Sequence, residues 1–548
     1  MVKKVPYDEA LKRYKPMAER PLPPSAEIGE DILRTFHPDY ISDRCTELTV
    51  GANAGDKCHR QLAEILQSDA RIDEADLAAS VEEETDVLVI GGGGAGCTAA
   101  LEAARAGVRV MLATKLRLGD SNTVMAEGGI QASVDKDDTP QMHYNDTVKA
   151  ARGQIDRGLA AQMVTDAPDV IRWLIQQGMQ FDLDQYGDLI SRRAGGSTAP
   201  RVLHYRDYTG LEMMRVLREA VFNSDVEVRD YCPAVELLSD QAGHCAGAVL
   251  SSLKSYQFSL VRAKAVIIAT GGIGRLHLNS FPTSNHFGAV GDGLVLAYRL
   301  GAKLRDLDTF QYHPSGLAYP LHLGGTLITE GIRSAGGYLL NANNERFIDE
   351  LKPRDSVAAA IIRECLEGRG IDAGDGTCGI WLDTPGLELR NPGIIEEQFP
   401  KLLHLGTKCG IDPRTQPMLI HPTLHYQNGG VVINKDGAST VPGLYCVGEV
   451  AGGVHGRNRL MGNSLLDIVS FGRRAGLAAA KRSHSSSLRQ KRISVEHLSA
   501  YRRKLMLANM PLEQKGPILF PEYAKFENDS DYSGLRKNTL RKSTEIAE

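Results

Sequence analysis

The residues most able to do chemistry begin with a cluster of glycines. GGGGAG contains the spacing GxGxxG at Gly91, Gly93 and Gly96, with Gly94 and Ala95 between. That spacing allows a tight turn, a close approach of backbone to a pyrophosphate, and a helix packed hard against a strand with its N-terminus facing the phosphates. Alone, the triplet would also fit a structural turn. An acid for a ribose is absent from the end of the next strand, where Thr114 and Lys115 stand, so a flavin nucleotide is expected over a nicotinamide one. Further on, GDSNTVMAEGGIQA (119–132) is too polar for a core helix and too ordered in composition for an arbitrary loop, and it reads as a segment wrapped around a ligand.

Elements that could hold these residues surround them. TDVLVI reads as a short buried strand, CTAALEAARAG as a helix stopped at Gly107, and RVMLAT (109–114) as the next strand, a βαβ opening. AKAVIIATGG (263–272) is another strand, ending in Ala269, Thr270 and Gly271, and GDG with Asp292 follows. VPGLYCVGEVAGG (441–453) carries Glu449 and leads to GRNRLMGNSLLD (456–467), which holds Asn463, Ser464 and Leu465. Strand ends of this kind converge on one ligand in doubly wound sheets. The first 80 residues read as an extension, with a proline-rich RPLPPS and an amphipathic helix from Lys57 to Ala79.

Composition narrows the class. The 548 residues are 42% hydrophobic and 24% charged, with a formal net charge of -5, which gives no general attraction to nucleic acid or anionic lipid. Nine cysteines lie scattered with no CxxC pair and no spacing suited to zinc or an iron–sulfur cluster, so no metal site is expected and the thiols read as reduced. With no long apolar run and a charged N-terminus, direct membrane insertion and export are not expected; the location expected is cytoplasmic, or at a membrane through a partner.

DSNTVMAEGGI, ATGG, QYHPSG, LITEGIRSAGG, PRDSV, HYQNGG and HGRNRLMGNSLLD occur in the order seen in the flavoprotein subunit of the fumarate reductase and succinate dehydrogenase family, which the chain resembles from about residue 84 to 480; L-aspartate oxidase shares the superfamily. The resemblance implies an α/β fold: a Rossmann-like FAD-binding domain in two pieces (81–308 and 426–485), an inserted α+β capping domain (309–425) and a short C-terminal helical region with a tail (486–548), after the extension at 1–80. In the covalent members a histidine bonded to the flavin stands where this chain has Asn122. A carboxamide is a poor nucleophile, so noncovalent FAD is expected, and with it the reducing direction. Ser121, Asn122 and Thr123 would offer hydrogen bonds, with Glu127, Gly128 and Gly129 completing the wrap.

By the same resemblance His313, Thr329, His425 and Arg459 would bind a small dicarboxylate, whose two charges need fixed donors once water is removed. Arg354 would give a proton to one carbon of a C=C bond as the flavin gives a hydride to the other, with Glu330 and Arg333, three residues apart, as relay. Read without the resemblance, Glu330 and Arg333 fit a surface salt bridge, and Arg459 a surface arginine paired with Asp467. Departures from the family pattern are Ser315 for the usual threonine, a shortened C-terminal region, and Ala194 where aspartate oxidases place a glutamate and dehydrogenases an aromatic, which implies a pocket open to a larger acid. The expected function is fumarate reduction to succinate with electrons from an iron–sulfur partner subunit; the alternatives are a flavin relay subunit of a larger redox complex, and L-aspartate oxidation. The N-terminal extension is expected either to contact that partner or to wrap the surface.

Overall fold

The computed structural model describes residues 4–23, 29, 31–77, 80–374, 376–485 and 493–521; parts of RPLPPS, Ala79 and the polar tail lie outside them. Its main sheet has eight strands in the order Glu227–Arg229, Val110–Ala113, Val81–Ile90, Phe258–Ile268, Cys245–Ser251, Ala234–Asp240 and Ile493–Ser494, with Leu444–Cys446 pairing Phe258–Ile268. Neighbours of Val81–Ile90 and Phe258–Ile268 within the ligand-facing half run parallel, as buried apolar strands with helices on their faces do. The alanine and glycine content of the helices Gly94–Arg105 and Asn463–Ser485 lets them approach closely: a Cβ at Gly476 would lie 2.4 Å from the Ala99 carbonyl oxygen.

A second, six-stranded sheet runs Val5–Pro6, Ile371–Asp372, Cys378–Asp383, Met418–Gln427 and Phe310–Leu317, with Tyr338–Leu340 against Cys378–Asp383. The helix Arg354–Leu366 covers it and shares an apolar core with Ile332, Ile380, Phe399 and Ile420. This arrangement is the α/β architecture expected, a Rossmann-like sheet joined to a smaller α+β unit. Among the described residues no helix is long and apolar enough to cross a membrane.

The N-terminal segment is built into both sheets' surroundings. Val5–Pro6 pairs in parallel with Ile371–Asp372, and Tyr7 stacks on Tyr319 with ring centroids 4.1 Å apart. Ile32 and Leu33 enter the smaller core, and Asp39 Oδ2 accepts the Phe310 amide at 2.9 Å. The long helix expected from Lys57 does not form. Lys57–His59 is a strand, the helix covers only Arg60–Leu66, and Asp69–Ala70 pairs with Lys515–Gly516. Gln67 caps the helix, its Oε1 accepting the amides of Thr49 and Val50 at 2.7 and 3.2 Å, and the pairing with Lys515–Gly516 takes Asp69–Ala70 into a strand. Tertiary pairing overrides local propensity here.

Candidate functional site

The glycine run closes a turn at the end of Val81–Ile90. Gly91 has φ +116°, and a Cβ there would sit 2.3 Å from the Ala269 carbonyl oxygen; a Cβ at Gly96 would sit 1.8 Å from that of Gly91. Both positions exclude any side chain, and the helix Gly94–Arg105 begins at the edge of a cavity of about 710 Å³. The cavity is lined by Gly91, Gly93, Gly94, Ala95, Thr114, Lys115, Ser121, Asn122, Thr123, Glu127, Ala269, Thr270, Gly271, Asp292, Glu449, Ser464 and Leu465. Gly96 lies beneath it, packing helix to strand. Thr270 Oγ1 and Asp292 Oδ1 are buried with no hydrogen-bond partner, as expected of groups that serve a polar ligand. Size, glycine cradle, helix N-terminus and orphaned polar atoms together fit FAD.

Asn122 is the first residue of the short helix Asn122–Met125, and its amide is fully used: Nδ2 donates to Asn285 Oδ1 at 2.8 Å and to Glu449 Oε2 at 3.1 Å, and Oδ1 accepts the His286 amide at 2.6 Å. Lys115 Nζ donates to Asp292 Oδ2 at 2.8 Å. Asn463, like Gly96, does not line this cavity; its side chain is spent on His143 Nε2 at 2.8 Å and Thr147 Oγ1 at 3.0 Å.

A smaller cavity of about 50 Å³ adjoins the large one and shares Glu127, Thr329, His425, Arg459, Ser464 and Leu465 with it. His313, Glu330, Arg354, Gly128, Gly129, Met461 and Gly462 line the smaller one alone. The antiparallel strands Phe310–Leu317 and Met418–Gln427 bring His313 and His425 together, ring centroids 4.9 Å apart. Burial, with Arg354 close by, pushes both imidazoles well below their ordinary range, so both are neutral. His313 Nδ1 accepts the Ser315 amide at 3.1 Å, which leaves Nε2 as the N–H donor. Thr329 Oγ1 accepts from the Gly331 amide at 3.2 Å and keeps its own proton to give.

Arg354 starts the helix Arg354–Leu366 and points two edges of its guanidinium at different partners, Nε to Glu330 Oε2 at 2.7 Å and Nη1 to Gln311 Oε1 at 3.0 Å. Glu330 Oε2 also accepts Arg333 Nη2 at 3.0 Å, and Oε1 accepts the Gly195 amide at 2.9 Å. Burial alone would raise the Glu330 pKa; Arg354, Arg333 and the Gly195 amide outweigh it and bring it to about 2. The Glu330–Arg333 pair is thus a buried ion pair within one helical turn, with side-chain exposures of 1% and 0% and no resemblance to a surface bridge. Arg459 is likewise buried and not paired with Asp467, which faces His455 and Tyr426. Its Nη2 donates to Gln311 Oε1 at 3.0 Å, its Nη1 to Ser464 Oγ at 2.9 Å, and it stacks on Tyr426; burial and Arg354 lower its pKa to about 9.

Gln311 was not among the residues singled out from sequence. Its Oε1 joins Arg354 to Arg459, and the signal was present: in a strand, residues 311 and 313 share a face. Lys401, which pairs with Glu127 at 2.7 Å, had no local signal. Ala194 does not open the pocket. It is 1% exposed, packs on Met461 and Val202, and lines neither cavity.

A phosphate-binding glycine turn, a cavity of dinucleotide size and an adjoining arginine cluster define an FAD-dependent oxidoreductase. A family model described as an FAD binding domain matches residues 86–465, and the chain belongs to that family. It is 40% identical over 424 residues to one of the subunits of the fumarate reductase (CoM/CoB) from Methanothermobacter marburgensis, covering 75% of each chain. With the L-aspartate oxidase of Streptomyces coelicolor it shares 39% identity over 412 residues, 72% of this chain and 68% of the other. The structure of FrdA from E. coli quinol fumarate reductase superposes with a TM-score of 0.70 at 30% identity, over 78% of this chain and 74% of that one. The protein is an oxidoreductase of fumarate reductase/succinate dehydrogenase type, with L-aspartate oxidase as a relative.

Proposed function

We propose that the protein reduces fumarate to succinate on noncovalently held FAD, with electrons delivered by an iron–sulfur partner subunit. The observation that carries this is the cluster of three buried guanidiniums, Arg333, Arg354 and Arg459, around one carboxylate, Glu330, at a small cavity. The surplus of positive charge is not cancelled by the neutral histidines, and it matches a dianion that has lost its water. Both carboxylates lining the small cavity are already ion-paired, Glu330 to arginines and Glu127 to Lys401, and the side chain next to Ala194 that does line it, Met461, is apolar, so among the described lining residues no carboxylate is free to hold a substrate ammonium. That disfavours L-aspartate as substrate.

When bound and reduced by two electrons from the partner subunit, FAD would supply a hydride to one carbon of the double bond. Arg459, Thr329, His313 and His425 hold the carboxylates, and Arg459 polarises the nearer one. Arg354 gives its proton to the other carbon. Glu330, within hydrogen-bond reach of both Arg354 and Arg333, returns a proton along Arg333–Glu330–Arg354. Gln311 holds donor and clamp in one register. The fully occupied amide of Asn122 supports noncovalent attachment.

The test is optical. Fumarate, succinate and malonate at millimolar concentration should each perturb the flavin spectrum of the oxidised protein, monocarboxylates should not, and a reduced viologen dye should be oxidised in the presence of fumarate. No spectral response to any dicarboxylate, in a protein whose flavin dithionite still reduces, would abandon this reading for an electron relay.

A further inference from the structure

Met461 stands between the glycine loop and the buried segment around Ala194. Its Cε lies 3.0 Å from the point where a Cβ on Gly128 would be, with Cγ and Sδ at 3.6 Å, so the thioether lies across Gly128. On its other side it packs on Ala194 and Val202, and all three are almost fully buried. Both flanks are fixed. Gln131 Nε2 donates to the Met461 carbonyl at 2.7 Å, and the amide of Gly195, next to Ala194, donates to Glu330 Oε1 at 2.9 Å. The same Met461 lines the small cavity with His313, Arg354 and Arg459.

We propose that Met461 determines which enoate the site accepts, by filling the room that a substituent on the double-bonded carbons of the substrate would need. The inference rests on the dicarboxylate reading. Any acid held by Arg459 and protonated by Arg354 has its middle carbons in the space these residues enclose with Met461 and Gly128. The Met461 thioether, with Cε 3.0 Å from where a Cβ on Gly128 would lie, occupies the side of that space a branch would need. The wall is held by the Gln131 and Gly195 hydrogen bonds, while Ala194 leaves to Met461 the volume that a larger side chain at 194 would occupy. The selectivity is thus set by a pair, a small residue at 194 and a long flexible one at 461.

The experiment compares kcat/KM for fumarate and 2-methylfumarate in the FAD-loaded full chain with a reduced viologen dye. One methyl group at an apolar wall is worth about 10- to 200-fold in discrimination. The wild type should therefore prefer fumarate by at least about tenfold, and Met461→Ala should raise the ratio of 2-methylfumarate to fumarate by a similar factor. Ala194→Phe combined with Met461→Ala refills the space from the other side and should move the ratio back toward the wild-type value. If Met461→Ala does not load FAD, Met461→Val decides by the same ratio. A ratio unchanged within about threefold, or a double variant that behaves like Met461→Ala or loses FAD where the single variant holds it, overturns the role of Met461 while fumarate reduction stands. A wild type inert toward fumarate overturns the proposed function and this inference together.

Discussion

Replacing Arg354 by lysine separates geometry from charge. Arg354 uses two edges of a rigid plane, Nε toward Glu330 and Nη1 toward Gln311, at 2.7 and 3.0 Å. A lysine ammonium is a single point on a flexible stem and cannot serve both partners from the arginine's position. Charge balance survives, because Glu330 keeps a cation beside it and still holds Arg333 at 3.0 Å. What is lost is a proton donor at a fixed place, and a positioned general acid contributes about 10²- to 10⁴-fold. Fumarate turnover should fall by that factor, equivalent to about 3 to 5 kcal/mol of barrier at 1.36 kcal/mol per decade. Arg354 lines the small cavity and not the large one, so FAD content should be unchanged. Dye-linked turnover and acid-released flavin, measured on one preparation, test both halves. Near-normal turnover would remove Arg354 from the mechanism, and a parallel loss of flavin would recast the effect as one of folding.

Three further outcomes are expected. Acid or denaturant should release all the FAD, and flavin fluorescence migrating with the denatured polypeptide would contradict noncovalent binding at Asn122. Arg459→Met, which keeps apolar packing on Tyr426, should weaken fumarate, succinate and malonate together by about one to two decades, the 1.5 to 3 kcal/mol of a charge-assisted hydrogen bond; an unchanged spectral titration would refute the clamp. Stability should fall as pH drops below about 6.5, since burial keeps His313 and His425 neutral in the fold while the unfolded chain takes up protons, at about 1.4 kcal/mol per pH unit for each histidine. His143 and His421, which burial pushes down to about 4, act in the same direction; His59, where Asp39 and Cys45 overcome burial and raise the pKa to about 9, acts against them. A Tm unchanged between pH 7 and pH 5 would refute that balance.

What could be read from sequence was what local chemistry enforces. Gly91 and Gly96 admit no side chain, so the turn is written in residue type, and the i,i+3 spacing of Glu330 and Arg333 survives into a one-turn helix. The candidate residues from three separate motifs, His313, Arg354 and Arg459, do meet at one cavity. Gln311, between two arginines, was legible only as a residue on the same strand face as His313, and partners joined solely through the fold were invisible: Lys401 against Glu127, and Met461 in the space beside Ala194. The misread helix after Lys57 failed for the same reason, since Lys515–Gly516, far along the chain, pairs with Asp69–Ala70.

The pairing of Val5–Pro6 with Ile371–Asp372 has a bearing on synthesis. Residues 5 and 371 meet as neighbours, yet at about 5 to 20 residues per second the first waits about 20 to 70 s for the second to emerge from the ribosome. Until the segment from Leu317 onward emerges, Tyr7, Ile32 and Leu33, which end in the smaller unit, lack their native cover. The smaller sheet cannot complete its edge until most of the chain exists, so its closure is a late event with high contact order. A nascent chain stalled before residue 371 should accordingly present an apolar N-terminal arm to chaperones, and supplying that arm as a separate peptide should rescue a chain that starts after it.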